Sequence, residues 1–329
     1  MKICYLDLQI NQPPEDYAIN AKRYGGAACF ARYAKILLNN EKDNFFIYGS
    51  KSNFENVGKD ENKENCIVLD DSRIDYIRSG GPIKNAIIGS ENFDIIIFHH
   101  DCMTLNVQGL KAKLVHWALM GDGRANHPNT PYTLLYNPGE RAVHGKSFPI
   151  VIGKYVPESF TQYQKENYIF QCSRHDGHMN SIDVAKFCLD NKIRGIFAGP
   201  ILESYPLMDY IDNSTTFYLG LISEYEKISH LKTATATTYV HTWDTAFNLS
   251  AVESLAYGTP IITSRRGCFN YLTQEGKNGF FWDFNSNLLE IYQKCQTLDQ
   301  RTIWESAQRH SHTAMINSFY KAFEEILQC

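Results

Sequence analysis

Thr238-Tyr239-Val240-His241, then Ser250-Ala251-Val252-Glu253-Ser254-Leu255-Ala256-Tyr257-Gly258-Thr259-Pro260, then Ile261-Ile262-Thr263-Ser264 is the stretch on which the fold turns. The first and last pieces are short β-branched runs and read as strands. The middle piece reads as a helix that stops at Gly258, with Pro260 beyond as a second stop signal. Strand, helix and strand in immediate succession make a crossover unit, which pairs the two strands in parallel. The same alternation extends outward. Upstream lie a strand at Tyr168–Cys172, a helix at Ser181–Asn191, a strand at Gly195–Ala198 ending in Gly199-Pro200, a strand at Thr216–Leu219 and a helix at Glu224–Ala234. Downstream come helices at Leu288–Cys295 and roughly Ile303–Leu327. The N-terminal half repeats the pattern: strands at Ile3–Leu8, Phe45–Tyr48, Ile67–Leu69, Asp94–His99, Lys113–Trp117 and Phe148–Gly153, with Gly25-Gly26 opening a helix at Ala27–Leu38. Alternation in both halves predicts an α/β chain of two Rossmann-like, doubly wound parallel-sheet domains. In this architecture ligands bind outside the carboxyl ends of the strands, and the two domains are expected to face a cleft there.

The size agrees, since 329 residues suit two domains of about 150 each. The predicted division is residues 1–155, residues 156–302, and a C-terminal helical stretch, 303–329, that returns to the first domain. The last part rests on an apolar stripe spaced by threes and fours (Met315, Phe319, Phe323, Ile326) that has to be buried. Lys154–Glu166, polar and containing Pro157, reads as the linker. The net charge of −4 disfavours a generally cationic, nucleic-acid-binding or membrane-docking surface. The nine cysteines show no C-x-x-C pair and an odd count, which excludes a disulfide framework or zinc knuckle and points to reduced thiols in the cytoplasm. Asp7 comes too early for a signal peptide. Apolar runs such as Ile95–Phe98 fall far short of the ~20 residues of a membrane span.

Chemistry concentrates at the start of the decisive helix. Asn248 or Ser250 can cap it, which would leave the backbone N–H groups of Asn248, Leu249 and Ser250 as donors to an anion or a sugar hydroxyl. Glu253 lies about one turn in. Its carboxylate can accept two ribose hydroxyls, or it can complement the helix dipole, and spacing leaves both open.

From Tyr218-Leu219-Gly220 to Asn278-Gly279-Phe280, about a fifth of the chain, the order of parts resembles the donor-binding half of the family 4 retaining glycosyltransferases, of GT-B fold. The parts are Leu219-Gly220, Glu253 to Pro260 (the family's E-A-x-A-x-G-x-P), Ile262-Thr263-Ser264, Gly267 and Gly276-Lys277-Asn278-Gly279. More loosely, Gly25-Gly26 resembles the family's N-terminal Gly-Gly loop and Ser173-Arg174 its diphosphate-binding Gly-Arg. Gly199-Pro200 resembles its second-strand turn and Val115-His116 its N-domain histidine. The resemblance implies a nucleoside diphosphate sugar as donor, no bound cofactor and no metal. It gives Arg174 the diphosphate, Glu253 the ribose, the segment Phe247–Ser250 the sugar or distal phosphate, and His116 a place beside the donor sugar. It also implies reaction on one face of the sugar, with the leaving phosphate oxygen taking the acceptor proton.

The resemblance is to a divergent member. The first glutamate of the family's pair is Thr245 here, beside Asp244, and the lysine five positions after the arginine is Met179, leaving His178, Arg265 or Arg266 to replace it. A nucleotide-sugar epimerase and a catalytically impaired nucleotide-sugar-binding subunit are the alternatives. The acceptor stays open among a glycan, a lipid-linked sugar, a small metabolite, a protein and a modified nucleic-acid base, and so does a homodimer. Of the remaining features, His99-His100-Asp101 reads as a polar rim rather than a metal site, and Gly121–Arg124 as an acceptor loop or a plain turn. Tyr132–Tyr136 reads as core and His310-Ser311-His312 as surface.

Overall fold

A computed structural model describes residues 1–7, 44–49, 65–99, 105–117, 131–135, 145–202, 204–245, 247–284 and 286–329. The chain divides into two compact units, residues 1–150 with 316–329, and residues 151–315.

In the first unit the described strands are β1 (Ile3–Asp7), β2 (Phe45–Gly49), β3 (Cys66–Val68), β4 (Ile95–His99), β5 (Lys113–Trp117), β6 (Tyr132–Leu135) and β7 (Lys146–Pro149). They form one sheet in the order β3-β2-β1-β4-β5-β6-β7, with every neighbouring pair parallel. The β-branched run Ile95–Ile97 sits at the centre and is buried on both faces, as a parallel sheet requires. One face packs on α1 (Asp71–Arg78), capped by Asp70 and burying Ile74 and Ile77 three residues apart, and on α2 (Ile83–Ala86). Tyr132 and Leu134 are buried strand residues. The last strand of this unit differs from expectation. The strand predicted over Phe148–Gly153 ends at Pro149, which lacks an N–H and is tolerated because β7 is an edge strand. Gly25, Gly26, the Ala27–Leu38 helix, His100-Asp101, Gly121–Arg124 and Tyr136 lie outside the described residues.

The second unit has a sheet of β8 (Glu166–Cys172), β9 (Arg194–Ala198), β10 (Thr216–Tyr218), β11 (Ala234–Tyr239), β12 (Ile261–Thr263) and β13 (Gly279–Phe281) in the order β10-β9-β8-β11-β12-β13, again parallel throughout. Its helices are α3 (Ser181–Asn191), α4 (Glu224–Thr233), α5 (Leu249–Ala256), α6 (Phe269–Leu272), α7 (Leu288–Cys295) and α8 (Gln300–Ala307). Helix α4 begins in a capping box, with Ser223 and Glu226 each bonding the other's backbone N–H. It stops at Thr233 because the threonine-rich Ala234–Tyr239 prefers the pleat, so the strand starts earlier than the Thr238–His241 expected. Helix α5 stops before Gly258, and all of Ala251–Ala256 is buried between the sheet and α8.

The single helix predicted over Ile303–Leu327 is two helices. Helix α8 ends in a 3₁₀ turn at Gln308–His310, and α9 (His312–Gln328) starts anew because the Ser311 hydroxyl accepts the Ala314 N–H. The division between the units falls inside α9, and in the first unit Phe319 packs edge-on against Trp117 of β5, ring centroids 4.8 Å apart. Lys154–Glu166 belongs to the second unit: the Lys154 N–H donates to the His310 carbonyl and the Trp304 indole to that of Pro157. His310, expected at the surface, is buried against Phe247, because the 3₁₀ turn folds it inward.

Candidate functional site

Strand order locates the site. In the second sheet the direction of winding reverses between β8 and β11, and in an open parallel sheet the crevice outside the carboxyl ends at that reversal is where ligands bind. Two loops flank it: Ser173–Asn180 after β8, and Val240–Asn248 after β11.

The first loop is anchored from below by buried polar side chains. His175 is fully buried. Its Nε2 lies 3.0 Å from the Ala198 carbonyl and its Nδ1 2.8 Å from the Ser181 hydroxyl, so Nε2 carries the proton and Nδ1 accepts. Burial lowers its pKa to about 4 and keeps it neutral. Asp176, also buried, accepts the His178 N–H at 2.9 Å and the Arg174 Nε–H at 2.7 Å. Arg174 is thus oriented at the rim by one edge of its guanidinium, with 56% of the side chain exposed. Beside it, the Ser173 N–H donates to Ala198 and the Gly199 N–H to Gly220, which aligns the ends of β8, β9 and β10. Gly199 has φ +117°, and a Cβ there would overlap the Ser173 carbonyl oxygen. Glycine is required for this close approach.

The second loop is held by its neighbours. Asn248 is the N-cap of α5. Its Oδ1 accepts the Ala251 N–H at 2.9 Å, and its amide nitrogen lies 3.3 Å from His241 Nε2. That contact makes Nε2 the acceptor and leaves the proton on Nδ1 of His241. Burial lowers the His241 pKa to about 4. The Gly267 N–H donates to Asp244 and the Cys268 N–H to the Thr245 carbonyl. Gly267, at φ +51°, is packed so closely on Thr245 that a side chain would collide with its backbone. The Thr245 hydroxyl itself turns to the Phe247 carbonyl at 3.4 Å. Across the mouth the two loops meet: the Thr242 N–H donates to His178, and the His178 ring stacks on Trp243 with centroids 4.5 Å apart and planes 13° apart.

Glu253 stands below this mouth in the second turn of α5, beyond the first turn where a carboxylate feels the helix dipole. The dipole role is therefore corrected. Only 8% of its side chain is exposed, and it is paired with two lysines: Lys227 of α4 reaches both carboxylate oxygens, at 3.1 and 3.0 Å, and Lys154 contacts Oε1. Lys227 also pairs with Glu224 at 2.8 Å. Burial alone would lower the Lys227 pKa, but Glu253 and Glu224 carry it above its usual value. Cys172, the last residue of β8, feels the same charges, and burial pushes its thiol up to about 12.

Thus Ser173, Arg174, Gly199, Thr245, Phe247, Asn248, Leu249, Ser250 and Glu253 all belong to the second unit, around the end of β8 and β11. His116 belongs to the first, buried on β5 and stacked on Phe98 with centroids 5.0 Å apart. Met179 is buried and offers no charge. Of the substitutes for it, Arg265 pairs with Glu275 at 2.7 Å and covers the Phe281 ring. The sequence reading missed Asp176, His241, Lys154 and Lys227. Only Asp176, two residues from Arg174, carried a local signal. Among the described residues no group of three His, Cys, Asp or Glu side chains is arranged to hold a metal ion, and no helix is long and apolar enough to cross a membrane.

Solved structures share this architecture. AviGT4, a glycosyltransferase involved in avilamycin A biosynthesis, superposes with a TM-score of 0.69 at 14% identity, over 99% of this chain and 98% of its own. The lipopolysaccharide outer core galactosyltransferase WaaB, in apo form, gives 0.70 at 12% identity over 99% of each chain. HepE of Anabaena, in complex with UDP, gives 0.66 at 14% identity, over 99% of this chain and all of its own. The chain has the GT-B fold. At these identities the likeness is one of fold. No protein-family profile and no curated protein sequence matches the chain.

Proposed function

We propose that the protein is a glycosyltransferase of the retaining, family 4 kind, which moves a sugar from a nucleoside diphosphate donor to an acceptor. The observation that carries this reading is Arg174 at the rim of the β8–β11 reversal, oriented by a buried Asp176, on the loop that meets the loop leading to the Asn248-capped start of α5. A guanidinium held by one edge keeps its remaining N–H groups for phosphate oxygens, which it pairs with bidentately. The diphosphate is also the leaving group, so the same contact stabilises the charge that develops as the glycosidic bond breaks. The start of α5 contributes backbone N–H groups to the distal phosphate or the sugar. Glu253 is assigned the ribose. The resemblance supplies the remainder: reaction on one face of the sugar, the leaving phosphate oxygen taking the acceptor proton, His116 beside the donor sugar, Gly25-Gly26 facing the donor and no metal in the step.

HepE has been crystallised with UDP and with UDP-glucose, which makes uridine diphosphate sugars the first donors to try. The odd cysteine count without a C-x-x-C pair supports a cytoplasmic location, and the net charge of −4 weighs against a nucleic-acid acceptor. A donor-binding chain without turnover is the second reading. It is favoured by Thr245, whose hydroxyl turns to its own loop, and by the buried Met179. Thermal unfolding in the presence of UDP-, GDP-, ADP- and CDP-sugars tests the donor class, since a ligand at a hundred times its Kd adds about 2.7 kcal/mol of stability. One donor should raise the midpoint and then be hydrolysed slowly without acceptor. Binding without hydrolysis supports the second reading, isomerised donor makes the protein an epimerase, and no shift with any donor overturns the proposal.

A further inference from the structure

Glu253 holds more donors than its proposed task leaves room for. A carboxylate offers about four acceptor positions. Three are engaged: Lys227 on Oε1 and Oε2, and Lys154 on Oε1. Two ribose hydroxyls bring the demand to five, so one lysine contact has to yield when a nucleotide binds.

The two lysines are not equivalent. Lys227 is fixed three times over, by both oxygens of Glu253 and by Glu224 on its own helix. Among the described residues Lys154 makes a single charged contact, from a segment whose backbone is tied down by the Lys154 N–H to His310 carbonyl bond. Its anchor is therefore rigid and its four-carbon arm is the movable part, as suits a compact, hydrated ammonium on a flexible stem. Glu253 is also carried by α5, five residues after the Asn248 cap at the helix start that is assigned the distal phosphate or the sugar.

We propose that Lys154 is a two-position cation. In the structure its ammonium holds Oε1 of Glu253. When a nucleoside diphosphate binds, the ribose takes that acceptor and the ammonium swings to a phosphate oxygen, supplying the second positive charge that the buried Met179 does not. Glu253 stays compensated throughout by Lys227, so no carboxylate is stranded in the exchange. This rests on the donor-binding reading above and assigns a further specificity residue to that site.

The inference predicts effects that differ between two ligands. Lys154→Met removes a competitor for the ribose and a partner for the phosphate. In titration calorimetry the variant should bind UDP about tenfold to a hundredfold more weakly than wild type, the worth of one charged hydrogen bond. It should bind uridine, which has no phosphate, as well as or better than wild type. Lys154→Arg keeps the charge and should recover most of the UDP affinity. A purely structural role would weaken both ligands alike and lower the thermal midpoint, and that result overturns the proposal. So does a Lys154→Met variant that binds UDP as wild type does. If wild-type protein binds none of UDP, ADP, GDP and CDP, the donor reading fails and the Lys154 role falls with it. Wild-type binding with an unaffected variant removes the Lys154 role alone.

Discussion

Arg174 and Glu253 are the two charged residues that the sequence singles out in the second unit, and their surroundings are opposite. Among the described residues Arg174 has one side-chain partner, Asp176, and most of its side chain is in water. Glu253 has two lysine partners and almost no exposure. An exposed pair in high dielectric adds 0–1 kcal/mol to a fold. A buried carboxylate must keep at least one ammonium partner, because removing the last one, or the carboxylate itself, strands a charge out of water. Charge at the rim can thus be devoted to a ligand, whereas charge beneath the site belongs to the fold and the ligand at once. Perturbing stability and turnover separately tests that contrast.

The largest effect should come from acid, which attacks what both residues stand on. His175 anchors the Arg174 loop, and His241 contacts Asn248, the cap of the helix that carries Glu253. Burial lowers His175 and His241 to about 4 and His310 to about 3, below the ordinary 6.5. Their unfolded forms bind protons first, so each contribution is complete above pH 6.5 and is lost as pH falls towards the folded-state value. At pH 4 the loss is about 3 kcal/mol per histidine, against a total of 5–15 kcal/mol for a typical domain. The urea midpoint of the second unit should fall steeply between pH 6.5 and 4, and His310→Phe should flatten part of that slope. A midpoint independent of pH over this range would show that these imidazoles are not buried neutral.

Next in size is Glu253→Ala. A lost ribose contact on its own predicts weakened nucleotide binding with the fold spared. The two lysines reverse that expectation: with the carboxylate gone, Lys227 keeps only Glu224 and Lys154 loses its charged partner. Breaking a buried pair costs 3–5 kcal/mol, and a loss of about that size should appear in chemical denaturation. The loss in Glu253→Ala/Lys227→Met should be well below the sum of the two single losses, because the double variant buries fewer unmatched charges. Additive losses would mean that the cluster is solvated and the contrast with Arg174 is false.

Legibility in the sequence followed how local each signal was. Lys113–Trp117, Ser181–Asn191 and Leu288–Cys295 were readable to the residue, because a short, mostly apolar run or an apolar period decides them and the stops are adjacent. The boundary at Ala234 was not, since an alanine and a run of threonines suit helix end and strand start alike until β8 and β12 pair with them. The break at Ser311 hid inside an otherwise continuous amphipathic pattern, with a single hydroxyl deciding it. In the site, Ser173, Arg174 and Gly199 were singled out by the resemblance and follow strands β8 and β9, and Asn248 was legible from its capping chemistry. Lys154 and Lys227 were not, because a lysine in a polar segment and a lysine on a helix give no hint that both converge on one carboxylate. Parallel pairing across the β8–β11 reversal brings them there, and that is long-range information.

The smallest effect on stability, and the sharpest side of the contrast, belongs to Arg174→Ala. The side chain is largely in water and makes one bond, so the fold loses about 1–2 kcal/mol, most of it from leaving the buried Asp176 carboxylate with the His178 N–H as its remaining bond. Turnover should respond far more. If Arg174 faces the departing diphosphate, its removal withdraws a donor aimed at developing charge, a loss of roughly 10²–10³ in kcat. The loss has to persist at saturating donor, because an interaction that strengthens in the transition state lowers kcat and kcat/KM together. Asp176→Asn provides the internal control: the amide oxygen can still accept one N–H, so the guanidinium is retained while its orientation slackens, and kcat should fall by less than in Arg174→Ala. Turnover at the wild-type rate with saturating donor would remove Arg174 from the reaction and leave it as a rim residue like any other.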